Sequence, residues 1–369
     1  FYQDYASFFR NKGEVRRLFT PANFIYGTGD YIHHHWFLKP TKLEPVGLDA
    51  KRAANAAHDK PTLLVIVVGE TARAANFGLD GYARQTTPQL AKLDVINYPQ
   101  ASSCGTATAI SVPCMFSPMA RRDYKSSQHQ ESLLDVVQRA GIPVIWKDNN
   151  SGCKGTCNRV TYEELSRQQD PRWCHDGECL DEIMLEGLDQ QLANHQGDLL
   201  LVLHQKGSHG PAYYLRYPKQ LEQFTPVCKT NKLQECSREA ITNAYDNTIL
   251  YTDHLLAQLI ARLQQQQSRY NTAMWYLSDH GESLGENNLY LHGAPYAFAP
   301  ETQTHIPMVQ WISKGFAAQS KLDLNCLRQA ANQPVSHDNL FHSVLGILNI
   351  QTSVYQPDLD LFKSCRKNP

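Results

Sequence analysis

Apolar positions along the chain fall into short β-rich runs separated by stretches with helical period. Thr62 to Val68 is an apolar, β-branched run that ends at Gly69, which predicts a buried strand. Leu133 to Ala140 is amphipathic and stops at Gly141, so a helix is expected there, followed by a strand over Pro143 to Trp146. Leu199 to His204 predicts another strand, running into a loop over Gln205 to Pro211. Ala240 to Gln264 carries a long helical period, and Gln264 to Gln267 reads as a helix end or loop. Met274 to Leu277 predicts a strand that ends at Ser278-Asp279-His280-Gly281. Strands alternating with helices imply an α/β fold, with a mostly parallel sheet covered on both faces. Ligands of such sheets gather beyond the carboxyl ends of the strands.

Residues 1–60 break this pattern. They are dense in aromatics, among them Phe1, Tyr2, Tyr5, Phe8, Phe9, Trp36 and Phe37, with Arg10, Lys12, Arg16 and Arg17 interleaved. Such a stretch suits a juxtamembrane connector, either as a helix at a membrane interface or packed on the domain. His33, His34 and His35 form a run that is either a metal-binding tract or, more commonly for such runs, an ordinary stretch of surface. Residues 61–369 then make up the catalytic domain. The longest apolar runs fall well short of the ~20 residues that cross a bilayer. The chain opens on Phe1 without a secretion signal, so any export or membrane segment is expected before residue 1.

Composition narrows the chemistry. With 42% hydrophobic and 19% charged residues the chain is that of an ordinary globular enzyme. Its net charge of −1 supplies no global field for nucleic acid or an acidic surface, so an anionic substrate must be recognised locally. The ten cysteines stand at 104, 114, 153, 157, 174, 179, 228, 236, 326 and 365. Close, even spacing suits disulfides in an exported protein, and nearest-neighbour pairing leaves Cys326 with Cys365. The competing reading is a structural zinc site at Cys153, Cys157, Cys174 and Cys179.

Candidate ligands follow the strands. Glu70 follows the first, Asp279 and His280 follow the Met274 strand, His209 lies in the loop after the Leu199 strand, and His292 stands in Tyr-Leu-His-Gly. Carboxylate and imidazole groups converging from separate strands suit zinc. Each alone has an ordinary structural reading as a cap, turn or tight loop. The segment Ser102 to Cys114 places small hydroxyl residues before an apolar run, as at a helix N-terminus, where free N–H groups and the dipole favour an anion. Ser103, Thr106 and Thr108 are all candidates for the cap, and Pro113 is expected to shorten or kink the helix. The pattern leaves the choice among these hydroxyls open.

Longer motifs add a resemblance. Val-Val-Gly-Glu-Thr-Ala-Arg at 67–73, Ser-Cys-Gly-Thr-Ala-Thr-Ala-Ile-Ser-Val-Pro-Cys at 103–114, Lys-Asp-Asn-Asn-Ser at 147–151, His-Gly-Pro-Ala-Tyr at 209–213, Asn-Ala-Tyr-Asp-Asn at 243–247 and Ser-Asp-His-Gly-Glu-Ser-Leu-Gly-Glu-Asn at 278–287 occur in order. The chain thereby resembles the phosphoethanolamine transferases that modify lipid A, including the mobile colistin-resistance enzymes. The resemblance implies an α/β/α sandwich of alkaline-phosphatase or sulfatase type, with transmembrane helices before residue 1, at the periplasmic face of the bacterial inner membrane. It implies zinc held by Glu70, Thr108, Asp279 and His280, with Thr108 the phosphorylated nucleophile. Asn150, Lys154, His209 and His292 match positions that bind the phosphoethanolamine group. His209 and His292 are candidates for a second zinc or for acid–base work. Disulfides are implied for Cys104 with Cys114, Cys153 with Cys157, Cys174 with Cys179, Cys228 with Cys236 and Cys326 with Cys365. The implied reaction takes phosphoethanolamine from phosphatidylethanolamine onto Thr108 and then to a lipid A phosphate, in a monomer without nucleic-acid partners. The alternatives are a metal-dependent phosphatase or sulfatase, or a transferase acting on core sugars or periplasmic glucans.

Overall fold

The run Thr62–Gly69 is strand β1, and all eight of its residues are buried, which is why it reads as continuously apolar rather than alternating. A computed structural model describes residues 24–25, 27–29, 43–53, 60–127, 129–175 and 177–367. Around β1 stand β2 (Val95–Asn97), β3 (Val144–Asp148), β4 (Thr161–Glu164), β5 (Leu199–His204), β6 (Asn271–Ser278) and β7 (Met308–Ile312), in the sheet order β2-β7-β6-β1-β5-β3-β4. Strands β6, β1, β5, β3 and β4 run parallel, and β7 runs against both its neighbours.

Alternate residues of β1 serve the two faces. Leu64, Ile66 and Val68 join a core with helices α1 (Thr108–Met115), α2 (Leu133–Arg139) and the late helix Asp338–Ile347. Leu63, Val65 and Val67 join a second core with the long helix α3 (Arg238–Gln265). Each such side chain contributes roughly 1.5–3 kcal/mol by leaving water. The result is an α/β/α sandwich. Ser237 caps α3, its hydroxyl accepting from Ala240 N at 3.1 Å, so the helix starts slightly before the apolar period does.

Strands β2, β4 and β7 carry no clear signal in the sequence. β4, Thr-Tyr-Glu-Glu, is a mostly exposed edge, and polar residues are tolerated there. The stretch taken as a connector is not uniform. Residues 43–53 dock on the domain, with Glu44 N donating to His129 O at 2.8 Å and Lys51–Arg52 pairing antiparallel with Ile350–Gln351. Residues 24–25 and 27–29 are helical, while His33, His34 and His35 lie outside the described residues. The disulfides join Cys104–Cys114, Cys153–Cys157, Cys174–Cys179, Cys228–Cys236 and Cys326–Cys365, and no described cysteine is free. A four-cysteine zinc site at Cys153, Cys157, Cys174 and Cys179 is thereby ruled out, because all four sulfurs are used in disulfides.

Candidate active site

Strand register brings the polar residues together. Gly69 of β1 lies opposite Ser278 of β6, Val68 opposite His204 of β5, and His204 opposite Asp148 of β3. Whatever follows these strands therefore emerges side by side at one edge. Glu70, Asp279 and His280 do so, each fully buried, and each offers a ligand atom within 4.8 Å of the others. The turn after Glu70 is tight: Thr71 has φ +54°, in the left-handed region that non-glycine residues rarely adopt. Its amide donates to Asp279 Oδ1 at 3.1 Å, which ties the two strand ends together. The loop after β5 approaches so closely that a Cβ at Gly207 would lie 2.7 Å from Glu70 O. Only glycine fits there.

The three candidate hydroxyls separate in the structure. Ser103 Oγ donates to Gly105 O and Thr106 Oγ1 donates to Ala294 O, each at 2.6 Å. Thr108 Oγ1 lies 3.0 and 3.2 Å from the two oxygens of Glu70 and 3.4 Å from His280 Nε2. None of the three hydroxyls caps α1. The cap is Ala107, in an extended conformation with no side-chain acceptor, and its carbonyl accepts from Ile110 N and Ser111 N at 2.9 and 2.8 Å. Thr108 is thus the first residue of the helix, where the dipole favours an anion. Pro113 lies inside α1, which ends two residues later at Met115.

The electrostatics of the cluster call for a cation. Burial, followed by the charge of Asp279, raises the Glu70 carboxyl above its ordinary value. Burial pushes Asp279 up to about 6 and His280 down to about 4. Asp279 Oδ1 accepts from Thr71 N and His280 N, but its buried Oδ2 has no hydrogen-bond partner. A buried carboxylate oxygen is normally paired or bound to metal. A divalent ion among these N and O donors would supply that partner and reverse the strain of adjacent carboxylates.

Beside this cluster lies a second group. Glu282, fully buried, places Oε1 2.8 Å from the donating hydroxyl of Tyr213 and Oε2 2.7 Å from His292 Nδ1. The His292 ring lies 4.4 Å from that of His280 and 5.7 Å from that of His209, centroid to centroid. Burial, then the charge of His292, holds His209 well below the usual histidine value. Asn150 faces inward: Nδ2 donates to Glu70 Oε2 at 2.6 Å and to Gln205 O at 2.8 Å. Lys154 Nζ donates to Ser151 O and Oγ, both at 2.7 Å, and lines a cavity of about 240 Å³ with Ala109 and Pro113 of α1.

The structure thus gathers Glu70, Thr108, Asn150, Asp279, His280, His209 and His292, with Lys154 at the cavity beside α1. Glu282, Tyr213 and the pair Asp148–His204 were not singled out from sequence. Glu282 stands within the 278–287 motif and His204 ends a predicted strand, but neither shows from local pattern what it faces. Asp148 Oδ2 lies 2.8 Å from His204 Nδ1 and accepts from Trp146 Nε1 at 2.8 Å, while Oδ1 accepts from Asn150 N and Gly152 N.

Comparison with known proteins gives a consistent picture. The Sulfatase family model matches residues 62–350, and the model for phosphoethanolamine transferase EptA/EptB matches residues 1–36. The chain is 47% identical over 371 residues to phosphoethanolamine transferase EptA of Escherichia coli (strain K12), covering 100% of this chain and 68% of that protein. It is 43% identical over 362 residues to phosphatidylethanolamine transferase Mcr-1 of Escherichia coli, covering 95% of this chain and 65% of that protein. Among solved structures, the soluble domain of lipooligosaccharide phosphoethanolamine transferase A from Neisseria meningitidis superposes with TM-score 0.85 at 45% identity, covering 88% of this chain and 99% of that one. The integral membrane form from the same organism gives TM-score 0.88 at 45% identity, covering 100% of this chain and 69% of that one.

Proposed function

Because the chain belongs to the phosphoethanolamine transferases of the sulfatase fold family, we propose that it carries phosphoethanolamine from phosphatidylethanolamine, through Thr108, to a lipid A phosphate. This transfer is the basis of the polymyxin and colistin resistance inferred for it. One observation carries the residue assignment: of Ser103, Thr106 and Thr108, Thr108 is the hydroxyl that meets Glu70 at the start of α1.

Glu70, Asp279 and His280, with Thr108, are the residues that would hold zinc, a four-donor N/O set that suits it. Bound there, zinc supplies Lewis-acid polarisation and favours the ionised form of a neighbouring hydroxyl. The chain's own groups do the rest. Thr108 Oγ1 attacks the phosphorus of the donor; the bond to the glycerol oxygen breaks, and diacylglycerol leaves after taking up a proton. A phosphate oxygen of the acceptor then attacks the same phosphorus, and the Thr108 oxygen leaves and recovers its proton. Such transfer depends chiefly on positioning and charge neutralisation, to which Lys154 and the α1 N-terminus contribute. Glu282 engages Nδ1 of His292 and so fixes the orientation of that ring, which suits it for proton transfer. The low proton affinity of His209 suits a neutral hydrogen-bonding or second-zinc role instead.

Residues 61–369 are the catalytic domain in this reading, and 1–60 lead toward the periplasmic face of the inner membrane. Among the described residues no helix is long and apolar enough to cross a membrane. Peptide mapping after incubation with phosphatidylethanolamine tests the proposal. A phosphoethanolamine adduct is expected on the peptide containing Thr108. An adduct elsewhere, or continued transfer by Thr108→Ala, overturns it.

A further inference from the structure

The segment Asn243 to Asn247 plays no part in the chemistry above, yet it places polar side chains in the buried first half of a 28-residue helix. Burying polar groups is unfavourable unless each finds a partner. Asn243 and Asn247 bond Pro226 O and Phe224 O, while Tyr245, Asp246 and the neighbouring Thr248 reach the loops that carry the site. Tyr245, fully buried, donates its hydroxyl to Thr71 O at 2.7 Å and accepts from Arg73 N at 2.9 Å. Asp246 accepts from Asn76 Nδ2 at 2.5 Å and from Tyr82 Oη at 2.9 Å, one turn further along the segment that follows Glu70. Thr248 Oγ1 lies 2.7 Å from Ser208 Oγ, next to His209.

The turn that Tyr245 grips is the one that aims Glu70. Thr71 is held at φ +54°, and a strained residue persists only where its surroundings over-determine it. Three side chains do so here. Asp279 takes Thr71 N at 3.1 Å, Ser278 Oγ takes Ala72 N at 2.8 Å, and the Tyr245 hydroxyl takes the remaining carbonyl and the next amide. The tyrosine itself is fixed, its ring edge-on to Tyr213 at 5.4 Å and covered by the Arg73 guanidinium at 5.6 Å. Tyr213 in turn donates to Glu282, so the support for Glu70 and the support for His292 touch one another.

We propose that Tyr245 is a positioning residue of the metal centre: its hydroxyl, projecting from α3, holds the Thr71–Arg73 backbone in the one conformation that presents Glu70 to zinc. The proposal rests on the reading that Glu70 is a zinc ligand. Outer partners of this kind alter metal affinity by roughly 10–100-fold.

The test uses the full-length zinc-loaded enzyme and Tyr245→Phe, which keeps the ring and removes only the hydroxyl. Zinc retention is read by competition with a chelator, alongside kcat, KM and Tm. Tyr245→Phe is expected to weaken zinc binding by about 10-fold or more and to lower kcat at subsaturating zinc with little change in donor KM. Tyr270→Phe is the control for loss of a buried hydroxyl: its Oη lies 3.0 Å from Leu192 O and 2.9 Å from His195 O, away from the site, so it should lower Tm comparably and leave zinc affinity unchanged. Thr71→Gly relieves the left-handed strain, and in the Tyr245→Phe background it should recover part of the lost affinity. The proposal is overturned if Tyr245→Phe binds zinc like the wild type while Glu70→Gln loses it. If Glu70→Gln also keeps zinc, the metal reading itself falls and takes this one with it. Should Tyr245→Phe not fold alone, the double variant is compared with Thr71→Gly alone, and equal zinc affinity in those two counts against the proposal.

Discussion

Two acid–imidazole groups lie one strand apart in this protein, and they are built to opposite ends. Asp148 and His204 complete each other. The carboxylate accepts from the imidazole, an indole and two backbone amides, which together fill both of its oxygens. Burial pushes this carboxyl up, but the hydrogen bond and charge of His204 together with hydrogen bonds from Trp146 and Gly152 hold the group below its ordinary value. Asp279 and His280 meet only loosely, with His280 Nε2 3.4 Å from Asp279 Oδ2. Glu70 adds a second carboxylate, Asp279 Oδ2 lacks a hydrogen bond, and burial moves both acids upward. Asn150 touches both groups, donating to Glu70 and lying 3.3 Å from His204 Nε2. A self-satisfied pair is scaffold, and an unsatisfied one marks where a cation belongs.

The comparison can be broken experimentally. The largest effect is expected at the hydroxyl beside the unsatisfied group: Thr108→Ala should lower lipid A modification by on the order of 10³-fold or more, measured as initial transfer rate. Next in size, Asp148→Asn should destabilise the fold by about 3–5 kcal/mol in urea melts, with or without zinc, because it leaves His204 buried beside a mismatched partner. A Tm unchanged by that substitution would show the pair is not scaffold. Asp279→Asn should change sign with the metal. In zinc-free protein it relieves repulsion with Glu70 and is expected to raise stability by roughly 1–3 kcal/mol. With zinc at 100 times its Kd, the wild type regains about 2.7 kcal/mol that the variant cannot.

The smallest effect concerns a buried acid outside both groups. Glu182 is pushed up to about 7 by burial, with Asp181 adding to it, and its Oε2 has no hydrogen-bond partner. A raised folded pKa means the ionised form is disfavoured in the native state, so this group's contribution falls as pH rises from about 4.5 through about 7. Glu182→Gln removes that penalty. It should raise Tm at pH 8 by several degrees and leave Tm at pH 4 nearly unchanged.

Much of the architecture was legible because it is local. The apolar runs at Thr62, Leu199 and Met274 became β1, β5 and β6, and the long period from Ala240 became α3. The edge strand β4 was not legible, because a strand with an exposed Glu164, a half-buried Glu163 and a Tyr162 that is 39% exposed has no apolar signature. At α1 the local rule misled. Hydroxyl residues before an apolar run read as caps, yet Ala107 begins the helix and the hydroxyls turn to other partners. Glu282 and Tyr245 lie within motifs visible in the sequence, but what they hold is on other elements.

The sequence by itself determined which residues follow which strands, and therefore that Glu70, Asp279 and His280 would reach the carboxyl edge of the sheet. Strand period and turn chemistry are decided by neighbours a few positions apart. Only the tertiary structure decided which hydroxyl meets Glu70, which imidazole is held by Glu282, and which tyrosine grips the turn at Thr71. Those contacts span 38, 10 and 174 positions along the chain, and two of them exist only because the parallel register sets Gly69 beside Ser278 and because α3 packs across β1.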